Sequence, residues 1–125
     1  MLEKNISFVG NKPKEYVLNA FSNAYCSIVP SFFEAFGYVV IESFSVHTPV
    51  IGSNTTGIAE IIEDEVNGLL FEPGNFRELA SKILILKGKP ELRERLSENA
   101  FKFFLEKYEL NKVVANCVKQ KILFE

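Results

Sequence analysis

The chain has 125 residues, 47% of them hydrophobic, with 14 Lys plus Arg against 16 Asp plus Glu and a formal net charge of -2. That length suits one modest core and a single domain. That charge balance leaves no broad basic field for a nucleic-acid backbone, which argues against nucleic acid as a partner. No apolar run approaches the ~20 residues of a membrane span, and MLEKNISFVG lacks a signal-peptide core, so no transmembrane segment and a cytoplasmic location are expected. Cys26 and Cys117 lack a paired spacing and read as two buried or half-buried thiols, with a disulfide between them as the minor alternative.

In chain order, ISFV (6–9) reads as a short strand ending at Gly10, and Pro13 opens a helix over Glu15 to Ala24. YCSIV (25–29) is a second strand closed by Pro30, and residues 37–46 follow as a helix. PVIGS (49–53) is a third strand, bounded by the turn-like NTTG at 54–57. A short helix at about 58–63, an acidic turn EDEVNG and the strand LLFE (69–72) come next. Asn75 stands three residues before Glu78 as an N-cap, and Leu79, Ile83 and Leu86 make the stripe of a helix stopped by Gly88. Pro90 starts a helix carrying Leu92, Leu96, Ala100, Phe103 and Phe104. A final helix from about 110 would carry Val113, Val114, Cys117, Val118, Ile122 and Leu123. Strands alternating with helices, then trailing helices, predict an α/β fold with an open parallel sheet of about four strands.

In such sheets ligands bind beyond the carboxyl ends of the strands, where EAFGYVVIE follows YCSIV. Gly37 allows close backbone approach. The first-turn amides of Gly37, Tyr38 and Val39, with the helix dipole, would stabilise an anion such as phosphate. Eight residues of helix rise roughly 12 Å. Glu34 and Glu42 therefore suit the two ends of a long ligand, such as a nucleotide-linked sugar, better than a paired acid and base. Blander readings stay open. Ser31 and Glu34 match a capping box, and Glu42 could be a solvated face residue. Phe32, Phe33, Phe36 and Phe44 read as core, with Phe36 the one to line the site. His47 reads as a left-handed C-cap, and Glu63, Asp64 and Glu65 as a solvated turn. No triad spacing and no His/Cys cluster supports a metal.

FVG, then VPSFFEAFGYVVIESFSVHTPVIGSNTTGIAEIIEDEVNGLLFEPGN, then ELASKILILKGKPELRERLSENA together resemble the C-terminal domain of retaining nucleotide-sugar glycosyltransferases of family 4, which have the two-Rossmann-domain GT-B architecture. The P-S-x-x-E-x-F-G-x-x-x-x-E core, in register with P-V-I and N-G-L-L, carries the match over nearly the whole chain. The resemblance implies a partial Rossmann-like domain over residues 1–125 and transfer of a hexose from a nucleotide-diphosphate sugar to a glycan or lipid acceptor with retention. It also implies that Glu34 binds the donor sugar's hydroxyls as the catalytic-centre carboxylate, in a positioning and electrostatic role, and that Glu42 holds the ribose. Phe36, Gly37, Tyr38 and Val39 would contact sugar and diphosphate through their backbone. No metal or other cofactor is implied. The full-length enzyme would be cytoplasmic or peripheral at a membrane. Bacterial-type glycogen synthases share the E-x7-E arrangement and are a nearby alternative.

His47 stands where the family usually has Gly, and Thr56-Gly57 replaces a common Gly-Gly pair. The resemblance also implies that the N-terminal acceptor domain and the opening strands, with the Arg and Lys that neutralise the diphosphate, lie outside the chain. Lys12 and Lys14 do not match that pair. The expectations are a chain inactive alone, needing the N-terminal domain or a partner subunit. A non-catalytic nucleotide-sugar-binding or interaction module is the second reading, and a small sugar-nucleotide hydrolase the third. With the opening strands gone, ISFV is expected to pair directly with YCSIV, and the uncovered edge to invite a homodimer.

Overall fold

The computed structural model describes residues 5–119. Helix α1 (Lys14–Ser22) leads to strand β1 (Ser27–Val29), α2 (Tyr38–Ser45), β2 (Val50–Ser53), the single turn α3 (Thr56–Ala59), β3 (Leu69–Phe71), α4 (Phe76–Gly88) and α5 (Pro90–Lys119). The strands form one parallel sheet in the order β1-β2-β3. This is the expected α/β architecture, with three described strands where about four were expected.

Central β2 explains why the apolar runs are continuous. All four of its residues are buried, because Val50 packs into a cluster with Val29, Val40, Phe44 and Ile58 while Ile51 packs with Leu69, Phe71, Leu86 and Leu96 on the other face. A strand covered on both faces needs no polar alternation. Helix α4 starts as its sequence predicts: the Asn75 side chain accepts a hydrogen bond from the Glu78 N–H at 3.0 Å, closing one of the orphan amides of the first turn. Its stripe of Leu79, Ile83 and Leu86 joins the second cluster, together with Leu92 and Leu96 of α5. Further along α5, Ala100, Phe103 and Phe104 pack on the first cluster, where Phe103 meets Phe44 edge to face at 6.0 Å.

Three expectations are corrected. ISFV is not a strand and does not pair with β1; Ile6, Phe8 and Val9 are exposed. A four-residue run gains strand geometry only from a ladder partner and a face to bury, and Gly10, at φ 68°, turns the chain away. The two C-terminal helices are one 30-residue helix, since the residues joining them, LEKYEL (105–110), are good helix formers with no Gly or Pro. The side chains expected to form its last stripe, Val113, Val114, Cys117, Val118, Ile122 and Leu123, lie outside those described. The Ser31/Glu34 capping box does not form, because the helix starts later, at Tyr38. No described helix is long and apolar enough to cross a membrane.

Candidate functional site

Residues 30–37 form the loop leaving the carboxyl end of β1, and three carbonyls along it are held from the last residue of β2 and the segment that follows it. The Ser53 hydroxyl donates to the Ser31 carbonyl and, at 3.3 Å, to that of Val29. The Thr55 hydroxyl donates to the Phe32 carbonyl at 3.2 Å, and the Gly57 N–H donates to the Glu34 carbonyl at 2.7 Å. Residues 53, 55 and 57 thus pin 31, 32 and 34 in sequence. The sequence pattern read NTTG only as a turn. Its signal was the small polar residues at alternate positions beyond a fully buried central strand.

Gly57 is the tightest of these contacts. A Cβ there would lie 2.8 Å from the carbonyl carbons of both Glu34 and Ala35, and closer still to the Glu34 oxygen. Only a glycine lets α3 approach the loop this closely. Gly37 completes the fit. It occupies the left-handed region (φ 69°, ψ 27°) as N-cap of α2, and a Cβ on it would meet the Gly57 carbonyl oxygen at 2.8 Å and the side chain of Ile61.

Helix α2 has no side-chain cap at Gly37, and while the Val40 N–H bonds the Gly37 carbonyl at 3.0 Å, the N–H groups of Tyr38 and Val39 find no partner inside the helix. They sit at the positive end of the helix dipole, at the carboxyl end of the sheet. One face of α2 is buried through Val40, Ser43 and Phe44. Tyr38 and Glu42, four residues apart, share another face. Glu34 and Glu42 are both half-buried. With the helix starting at Tyr38, only four residues of it precede Glu42, so helix supplies about 6 Å of the path between the glutamates, and the loop from Glu34 to Gly37 supplies the rest where eight helical residues were expected.

The Phe36 and Tyr38 rings stack across Gly37, with centroids 5.5 Å apart and planes 19° from parallel. Both are exposed, as are Phe32 and Phe33, so of the four phenylalanines expected in the core only Phe44 is buried. His47 takes the left-handed position directly after the Val46 C-cap, at φ 63°, with its ring centroid 3.7 Å from that of Phe101 and its carbonyl bonded by the Ser97 hydroxyl. It closes the far end of α2, about 12 Å of helix from Gly37. Glu63, Asp64 and Glu65 are exposed, as the acidic turn predicted. Among the described residues no cluster of three metal-ligating side chains occurs.

Residues 1–103 match the family model described as glycosyl transferases group 1. The chain belongs to the group 1 glycosyltransferases. An uncharacterised glycosyltransferase of Methanocaldococcus jannaschii is 37% identical over 110 residues, covering 88% of this glycosyltransferase chain and 31% of the relative. The chain thus spans about a third of that relative's length. The crystal structure of a C-terminal domain of a group 1 glycosyl transferase from Francisella tularensis superposes with a TM-score of 0.72 at 25% identity, covering 82% of this chain and 52% of that one. The Anabaena HepE structure, solved in complex with UDP-glucose, superposes with a TM-score of 0.82 over 95% of this chain and 33% of that one; at 22% identity it attests the fold.

A cavity of about 560 Å³ lies away from this loop, beside the amino end of β1, lined by Tyr25, Cys26, Ile83, Lys87 and Pro90. It is almost wholly apolar, and none of its lining residues belongs to the loop just described. Burial pushes the Cys26 thiol above its ordinary pKa, against a smaller opposing pull from Arg93.

Proposed function

We propose that this chain is the donor-binding portion of a retaining glycosyltransferase that moves a hexose from a nucleotide-diphosphate sugar to a glycan or lipid acceptor. The observation that carries the reading is the uncapped, glycine-started N-terminus of α2 at the carboxyl end of the sheet, with one carboxylate just before it and one a turn inside it. The free amides and the dipole suit a diphosphate. Glu34 takes the hydroxyls of the sugar and Glu42 those of the ribose, while Phe36, Gly37, Tyr38 and Val39 contact sugar and diphosphate through the backbone. A nucleotide-sugar complex of a structural neighbour of the same fold, HepE with UDP-glucose, supports the ligand class.

In this reading Glu34 orients the donor and stabilises charge without acting as a general base, and no metal or other cofactor takes part. Turnover needs the remaining lobe to bring the acceptor and exclude water, so the chain is inactive alone. A second reading is favoured by one observation: among the described residues every buried polar side chain has a partner, as in a unit that folds unaided. It makes the chain a non-catalytic nucleotide-sugar-binding module, such as one subunit of a split transferase.

Saturation-transfer NMR with UDP-glucose tests the site assignment. The native chain should enhance both sugar and ribose protons; Glu34→Ala should lose the sugar signals first and Glu42→Ala the ribose signals first. Equal loss across the ligand in both variants would contradict the assignment. Release of free glucose or transfer by the chain alone would contradict its inactivity.

A further inference from the structure

The acidic turn between α3 and β3 is held more firmly than a solvated turn requires. Asn67, only 6% exposed, accepts from the Glu63 N–H at 2.8 Å and donates from its amide to the Ile61 carbonyl at 3.0 Å. Glu65 takes the left-handed region at φ 65°, which a residue with a Cβ enters only under strain, and its N–H donates to the Gly68 carbonyl at 2.8 Å. This lays Asp64 along the outer side of β3, where the described sheet ends. The Asn54 N–H bonds the Phe71 carbonyl at 2.7 Å, so Phe71 faces β2 and strand alternation turns the N–H groups of Leu70 and Glu72 outward. Both are taken by carboxylates. Leu70 donates to Asp64 at 2.8 Å, and Glu72 donates to Glu78 of α4 at 3.1 Å. The Lys82 Nζ lies 4.0 Å from the other Asp64 oxygen.

We propose that Asp64 and Glu78 form a cover on the outer edge of β3, which without them pairs with β3 of a second copy of this chain. Leu69–Phe71 is wholly apolar, with no charge and no proline, the kind of edge that templates pairing. Two copies related by a twofold axis would set this strand against itself, each supplying the N–H and C=O groups that the other needs. The carboxylates prevent this by occupying the outward N–H groups, which leaves an incoming carbonyl no donor. Asp64, Glu72 and Glu78 meeting their own copies would add like-charge repulsion, as a lesser effect. The left-handed Glu65 then has a reason. It turns the chain so that Asp64 reaches back to a strand residue six positions on. The inference rests on neither the family assignment nor the proposed nucleotide-sugar site.

The test compares the native chain with Asp64→Ala, which frees the Leu70 N–H, and with Asp64→Asn, which keeps an acceptor oxygen in its place. Light scattering and exchange of the Leu70 amide are followed from micromolar to millimolar protein. In dilute solution the Leu70 amide of Asp64→Ala should exchange about tenfold faster than in the native chain. On concentration it should slow by at least that factor while the mass rises to a dimer. In the native chain and in Asp64→Asn the Leu70 amide should not respond to concentration. A folded Asp64→Ala whose mass stays at the native value, or whose dimer leaves Leu70 exchange unchanged, overturns the proposal. So does a native Leu70 amide already slowed by concentration. Association of Asp64→Asn as ready as that of Asp64→Ala overturns it too, since charge alone would then be the barrier. If Asp64→Ala does not fold, Glu78→Ala frees the Glu72 N–H on the same edge and keeps the Asn75 cap on the Glu78 N–H. Absence of association there, with the Glu72 amide as reporter, overturns it equally.

Discussion

Replacing Gly57 by alanine should uncouple the candidate site from its support. In isolation the change favours the helix, by at most about 1 kcal/mol, and α3 is a single turn, so little of that gain is realised. Against it stands a Cβ placed 2.8 Å from two carbonyl carbons of the Glu34 to Ala35 backbone, atoms that cannot rotate aside. Overpacking of that kind costs about 1–3 kcal/mol. Pushing the loop away also breaks the 2.7 Å bond from the Gly57 N–H to the Glu34 carbonyl, leaving a buried donor orphaned at about 1–3 kcal/mol. The net loss should be about 1–6 kcal/mol, because the steric and hydrogen-bond costs together exceed the helix gain. Urea unfolding followed by circular dichroism reads this as a lower midpoint with an unchanged slope. Gly88→Ala is the internal comparison, since a Cβ at Gly88 meets nothing within 4 Å, and it should leave the midpoint unchanged or raise it. Equal effects of the two substitutions would refute the packing argument.

Phe44→Ala removes a fully buried ring that meets Phe103 edge to face and should cost about 3–5 kcal/mol in thermal or urea unfolding. Asn75→Ala deletes the cap on the Glu78 amide and should cost about 0.5–2 kcal/mol, with loss of helicity confined to the start of α4 as read by amide exchange. Cys26 supplies a pH dependence. Its thiol is raised above the ordinary 9.0, so the folded state holds the proton more tightly than the unfolded state; the associated stability is complete below about pH 9 and is lost as pH rises through the folded-state value. Cys26→Ala should therefore flatten the alkaline fall of the unfolding midpoint, and an equally steep fall in the variant would contradict that origin.

Much of the fold was legible because its signals are local or periodic. The buried central strand shows itself in PVIGS, the cap of α4 in Asn75 and Glu78, and the left-handed close of α2 in His47 before Thr48-Pro49. ISFV misled because an apolar run records a preference, while a strand also requires a neighbour. The site motif was visible in Glu34, Gly37 and Glu42, but its support was not. Ser53, Thr55 and Gly57 act on carbonyls 22 or 23 residues earlier, and such pairings have no periodic trace in a single sequence. Hydrophobicity alone places Phe32 and Phe33 in the core, although they are exposed on a loop whose backbone, not whose side chains, is held by the body of the domain; Phe36, read as lining the site, is exposed beside Gly37.

The central claim is that the glutamates on either side of Gly37 grip a nucleotide sugar at its two ends. Isothermal titration calorimetry of the chain with UDP-glucose, beside Glu34→Ala and Glu42→Ala, tests it most directly. Each carboxylate that accepts ligand hydroxyls is worth about 1.5–3 kcal/mol. Each variant should therefore bind about 10- to 150-fold more weakly while keeping the native unfolding midpoint. Binding unchanged in both folded variants, or no binding of UDP-glucose, GDP-mannose or UDP-N-acetylglucosamine by the native chain, would contradict it.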